Sequence, residues 1–316
     1  MSVSHREADD LTKRTAMYHL LFFVFKLVSY IPFRLLYVLS DILFYPLYYV
    51  VRYRRKIVRK NLTESFPEKS PAEIKRIERK FYRFFVDIAL ESCKLLSISP
   101  DEMKRRVRFV NIDEVNAVLR EGKSISAFLG HYGNWEWLSS VGLWLTGNAR
   151  CAQIYHKLRN RTMDRLILRW RERFGDECVD MRHTARFIAS ESKGPKPMII
   201  GFIADQSPRK RDTKLVLDFL NHRVPVLTGT EKITKHYGYE AMFVGVRRVG
   251  RGYYECEFTS LHDDPKSLPD FELTELYYQR LEQEIRQQPE LYLWSHNRFK
   301  HAEKQPTINN ELTPLE

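Results

Sequence analysis

The chain has 316 residues, 52 Lys+Arg against 40 Asp+Glu for a formal charge of +12, and a 43% hydrophobic, 13% aromatic composition. Intrinsic disorder as the main state is excluded, and the length suits one large domain or two modest ones. Cys93, Cys151, Cys178 and Cys256 lie far apart with no C-x-x-C pair, which rules out a zinc ribbon and a dense disulfide framework and points to a reducing compartment.

Apolar residues crowd the N-terminal end. Residues 16–51 contain only three ionised side chains, Lys26, Arg34 and Asp41, and two prolines, Pro32 and Pro46. A spanning helix needs about 20 mostly apolar residues, so this segment reads as one tilted span or as two helices broken near Pro32. It is too long, and lacks the small-residue cleavage site, to be a removed signal peptide. Arg52, Arg54, Arg55, Lys56, Arg59 and Lys60 follow directly, a cluster that is retained in the cytoplasm and attracts anionic headgroups. Tyr45, Tyr48, Tyr49 and Tyr53 near the basic end suit an interfacial belt. A buried helical hairpin with a solvated basic turn is the alternative.

A helix is expected over 71–96, where Ile74, Ile77, Phe81, Phe84, Phe85, Ile88 and Leu95 recur at three and four. Ser70, Pro71 and Glu73 supply the start signal. Beyond it, strands are expected at 124–129, 198–204, 215–220, 241–246 and 253–259. Helices are expected at 113–120, 135–145, 162–174, 231–237 and 271–287. The alternation predicts an α/β fold, an αβα sandwich. The division is a polar tail at 1–15, a membrane anchor with its basic segment at 16–60, one catalytic domain at 61–302 and a polar tail at 303–316.

The most informative stretch is Gly130-His131-Tyr-Gly-Asn-Trp-Glu136, in which an apolar strand gives way to a helix. On one continuous helix His131 and Glu136 would point about 140° apart. They can meet only if His131 sits on the turn and Glu136 in the first helical turn, with Gly133 permitting the turn and Asn134 as N-cap. Glu136 would then orient the imidazole of His131, a base with its orienter. A His at a strand end and a Glu paired to a helix N-terminus is the purely structural alternative.

His131-Tyr-Gly-Asn-Trp-Glu136 resembles the signature of the bacterial lipid A late acyltransferases. Four more blocks follow that family's order: Arg52 to Leu62 with Phe66-Pro67, the Arg-rich stretch from Tyr155 to Gly175, Ala204-Asp205-Gln206, and Trp294-Ser-His-Asn-Arg-Phe-Lys300. The resemblance covers roughly residues 16–302. The sequence departs from the family at Asn297, where Arg is usual, and at Pro208 to Arg211 and Phe219-Leu-Asn221.

The resemblance implies an acyltransferase domain that moves a fatty acyl group from acyl carrier protein to a hydroxyl of a lipid acceptor. It also implies no metal, no cofactor and no covalent acyl-enzyme, and a place at the inner membrane with the catalytic domain on the cytoplasmic side. His131 and Glu136 are the catalytic candidates. The family's functional Arg falls on Arg171 or Arg173, and Asp205 and Gln206 follow an apolar strand, where α/β folds expose functional groups. Helix N-terminal amides or a nearby Arg are candidate oxyanion donors. The basic excess suits an anionic lipid acceptor, an acidic carrier protein and a negative membrane, and no helix-turn-helix, zinc finger or RNA-recognition signature points to nucleic acid. The alternatives are the same chemistry on another lipid or small acceptor, and a noncatalytic basic membrane-docking protein.

Overall fold

A computed structural model describes residues 5–208 and 213–303. The N-terminal third is helical: α1 (His5–Tyr30), α2 (Phe33–Tyr45) continued by a π turn at Pro46–Val51, α3 (Arg55–Ser65), α4 (Pro71–Lys94) and α5 (Pro100–Arg106). The apolar segment is thus broken at Pro32, and α1 begins inside the stretch read as a polar tail. The tail expected at 303–316 lies outside the described residues except for Glu303. Ser70 caps α4 with a complete capping box, its side chain accepting from the Glu73 amide while Glu73 accepts from the Ser70 amide.

The remainder runs β1 (Val107–Phe109), α6 (Ile112–Arg120), β2 (Ile125–Leu129), a 3-10 turn (Trp137–Leu143), β3 (Arg150–Tyr155), α7 (Arg161–Arg171), β4 (Glu177–Asp180), α8 (Thr184–Glu191), β5 (Met198–Ile203), β6 (Leu215–Phe219), β7 (His222–Val226), α9 (Gly229–Tyr237), β8 (Glu240–Gly250), β9 (Tyr253–His262) and α10 (Glu272–Gln287). Seven strands form one sheet in the order β1-β9-β8-β2-β5-β3-β4, and β6 and β7 form a separate hairpin. Strands β8, β2, β5, β3 and β4 are mutually parallel, while β8 and β9 are antiparallel. Helices cover both faces, as expected for parallel strands that must be buried on each side. Every residue of β2 is buried.

Side chains of β5 alternate. Ile200 and Phe202 join a cluster with Ile188 of α8, whereas Ile199, Gly201 and Ile203 face the opposite side, where the cavity described below lies. The expected α-helix at 135–145 is instead a short 3-10 turn. There the Ser139 and Ser140 hydroxyls bond the carbonyls of Glu136 and Trp137, three residues back, and compete with α-helical hydrogen bonding. The elements α3, α5, α8, β1, β3, β4 and β7 were not anticipated from the sequence.

Helices α1 and α2 are docked on the α/β domain. Ser40 donates to Asp87 at 2.6 Å, Tyr37 donates to Glu91 at 2.9 Å, and Lys94 donates to the carbonyls of Ser29 and Ile31 at the corner between the two helices.

Candidate active site

The site begins with a register. Strands β2 and β5 pair in parallel with Leu129 opposite Ile203, so the residues two positions beyond, His131 and Asp205, emerge side by side at the carboxyl edge of the sheet. This is the edge at which α/β folds place their ligands. From behind, consecutive tyrosines of α10 bond the carbonyls at the two strand ends, Tyr277 to Leu129 at 2.6 Å and Tyr278 to Ala204 at 2.9 Å.

The turn after β2 is held by a short ladder to Leu291 and Leu293, just ahead of the C-terminal block. Leu293 donates to the His131 carbonyl and Gly133 donates to the Leu291 carbonyl, both at 3.1 Å. Gly133 has φ +62°, and a Cβ there would stand 2.4 Å from Val246 Cγ1, so the position requires glycine twice over. Asn134 does not cap a helix, since the 3-10 turn starts at Trp137 with Glu136 before it, but it pins the turn: its Oδ1 accepts from the Trp137 amide at 3.1 Å, and its Nδ2 donates to buried Glu91 at 2.8 Å. Glu91 also accepts from Tyr37 and Tyr254, and its carboxyl is pushed up, chiefly by burial.

Asp205 holds His131 by two bonds. Its Oδ1 lies 2.7 Å from the ring Nδ1, and its Oδ2 accepts from the His131 backbone amide at 3.1 Å. Burial raises the Asp205 carboxyl, but the His131 charge and these bonds outweigh it, so the group stays below its ordinary value. A carboxylate acceptor on Nδ1 puts the proton there and leaves Nε2 as the basic nitrogen. Gln206 Nε2 is 3.1 Å from that atom.

Glu136 is not the orienter expected from its spacing. Its Oε1 accepts from Arg171 Nη2 at 2.5 Å and Trp135 Nε1 at 3.1 Å, and its Oε2 accepts from Arg171 Nε at 2.8 Å and Trp170 Nε1 at 3.2 Å. Both oxygens are thereby committed to a bidentate guanidinium and two indoles, and the His131 imidazole takes its partner, Asp205, from the segment just past β5 instead. Burial raises the Glu136 carboxyl, and the Arg171 charge with these bonds holds it below its ordinary value. Of the two candidate arginines, Arg171 stands in the site. Arg173 turns away to the Leu95 carbonyl at 2.7 Å.

A cavity of about 310 Å³ opens beside His131, Gln206 and Arg171. It runs along the sheet between apolar side chains: Phe109, Leu129, Val141, Ile199, Val244 and Phe258. Polar side chains, among them Ser139, Gln153, Tyr155, His156 and Asp164, also line it.

The model of the bacterial lipid A biosynthesis acyltransferase family matches residues 5–301. The chain belongs to this family. A search of curated proteins finds no match. In this acyltransferase the blocks named above, distant in sequence, converge. Asn61 of the basic block donates to the carbonyls of Trp294 and His296 at 3.0 Å each, Leu291 and Leu293 just ahead of the C-terminal block form the ladder under His131, and Arg298 of that block donates to Tyr278. The strand-end position marks Asp205 as an exposed functional group but does not pair it with His131. The available signal was that both residues fall two positions past an apolar strand.

Proposed function

We propose that this lipid A acyltransferase carries a fatty acyl group from an acyl carrier protein thioester to a hydroxyl of a lipid A precursor, with His131 as general base. The observation that carries the reading is that His131, with Asp205 bound to its Nδ1, lines the cavity together with Gln206 and Arg171.

The acyl chain would fill the cavity and bring its thioester carbonyl to His131. The acceptor hydroxyl displaces the Gln206 amide from Nε2, gives its proton to that nitrogen and attacks the carbonyl carbon. General-base help of this kind contributes roughly 10²–10⁴-fold. Asp205 stabilises the imidazolium. The tetrahedral oxyanion collapses, the C–S bond breaks, and the Nε2 proton leaves with the carrier thiol. Arg171, oriented by Glu136, and the Gln206 amide line the same cavity and would supply charge and donors to the oxyanion. Arg173 has no part in this chemistry. No metal or cofactor is needed for these steps.

The +12 charge supports an acidic carrier and an anionic lipid as partners, rather than nucleic acid, and the use of carrier thioesters implies that the domain works on the cytoplasmic side of the inner membrane. The test is mass spectrometry of lipid A from the native host with and without the gene, complemented by wild type or His131→Ala. Loss of one acyl mass, restored only by wild type, supports the reading. Unchanged lipid A with a shift in another lipid overturns the acceptor, and restoration by His131→Ala overturns the base.

A further inference from the structure

The stretch Phe33–Val51 is long and apolar enough to cross a membrane, yet its surroundings divide it lengthwise. On one side Leu36, Ser40, Phe44 and Tyr48, spaced by four, are buried against the domain. On the other, Leu35, Val38, Ile42, Tyr45 and Tyr49, spaced by three and four, are 45–60% exposed. Helix α1 repeats the pattern with Met17, Leu20, Val24 and Leu27 exposed along one line. The tip of the β8–β9 hairpin adds exposed Val249 and Tyr253 beside α2, where Gly252 passes so close to Tyr37 that no side chain would fit.

The buried side of α2 is polar as well as apolar, and this decides its geometry. Arg251 bridges Asp41 of α2, at 3.0 Å, and Asp87 of α4, at 2.7 Å, while Ser40 and Tyr37 reach Asp87 and Glu91. A crossing α2 would either break these bonds or carry two carboxylates and a guanidinium into hydrocarbon, where charged groups are costly. A helix lying flat keeps them and still hides its apolar line. The charges suit an anionic bilayer. Asp41, the one acid of residues 15–51, is covered by Arg251 and Arg83, while Arg34, Arg52 and Arg54 stand exposed at the ends of α2 and its π turn.

We infer that α1, α2 with its π turn and the β8–β9 tip form one side-on docking face for a single leaflet of an anionic bilayer, and that α2 does not cross it. This deepens the membrane part of the reading above and rests on it for its role. The face adjoins the site. Helix α7 meets α1 through Arg165 on Tyr18, Arg169 on Phe22 and Trp170 on Phe25, and the same helix gives Ile167 and Arg171 to the cavity. A lipid acceptor diffusing in that leaflet therefore arrives beside the wall of the cavity.

The test places a fluorophore at single cysteines replacing Leu35, Val38, Ile42, Tyr45 and Tyr49 in the full chain. A Cys178→Ser background suits this, because Cys93, Cys151 and Cys256 are buried. Depth is read by lipid-borne quenchers in phosphatidylglycerol-containing vesicles. Equal shallow depth at all five positions is expected. A steady change of depth over the roughly 21 Å that separates residues 35 and 49 along a helix overturns the inference in favour of a span. Probes unquenched by lipid, in a protein that sediments as a dimer, overturn it in favour of a second copy as occupant. Acyl transfer by the unlabelled protein is measured on the same vesicles doped with a lipid A precursor and supplied with a carrier-linked acyl thioester, so equal shallow depth without transfer leaves the face standing and removes the proposed reaction.

Discussion

His131 and Asp205 stand 74 positions apart in the chain and 2.7 Å apart in space, each two residues past the end of neighbouring parallel strands in matched register. Asp205 grips both the ring and the backbone amide of His131, so it sets the tautomer and the position of the imidazole together.

Asp205→Asn is therefore expected to lower kcat by about 10²–10⁴-fold with little change in KM, because an amide donor on Nδ1 favours the wrong tautomer. Steady-state acyl transfer with a carrier-linked thioester checks this. Loss of activity through KM alone would contradict the role.

Glu136 and Arg171 are a buried bidentate pair, with side chains 11% and 17% exposed. Glu136→Gln or Arg171→Met alone leaves an uncompensated charge and is expected to cost about 3–5 kcal/mol of stability, whereas the Glu136→Leu/Arg171→Met double variant recovers most of it and stays inactive. Denaturant melts beside activity assays separate the two effects. An active double variant would remove Arg171 from the chemistry.

Asp176 gives a pH signature. Its carboxyl is pushed up to about 8 by burial, from an ordinary value of 3.8. Between these values the folded state holds a proton that the unfolded chain releases, so stability falls as pH rises from about 4 to 8. Asp176→Asn removes that slope and is expected to stabilise the protein at pH 8 by on the order of a few kcal/mol, with little effect at pH 4. Urea midpoints across this range test it, and parallel curves for the two proteins would refute it.

Val141 lines the cavity and is buried. Val141→Phe is expected to shift the preferred acyl donor to a shorter chain at a cost of about 1–3 kcal/mol in stability. Competition between thioesters of different length reads the shift, and an unchanged preference would mean that the chain lies elsewhere.

Features that depend on near neighbours were legible in the sequence. The capping box that starts α4, the break at Pro32, the cores of β2, β5, β8 and β9, the Gly133–Asn134 turn and the α/β class all follow from periodicity or from single residues with few conformational options. Strands β3 and β4 were not, because Arg150-Cys-Ala-Gln-Ile-Tyr155 and Glu177-Cys-Val-Asp180 mix polar and apolar side chains and take their strand form from pairing with neighbours. The partners of the charged groups were decided only by tertiary structure. Spacing put Glu136 within reach of His131, but a buried carboxylate goes where its charge is best compensated, and α7 brings Arg171, a guanidinium fork, to the same place. The polar partners of α2 are likewise supplied from outside it, by Asp87 and Glu91 of α4, which no pattern within α2 contains.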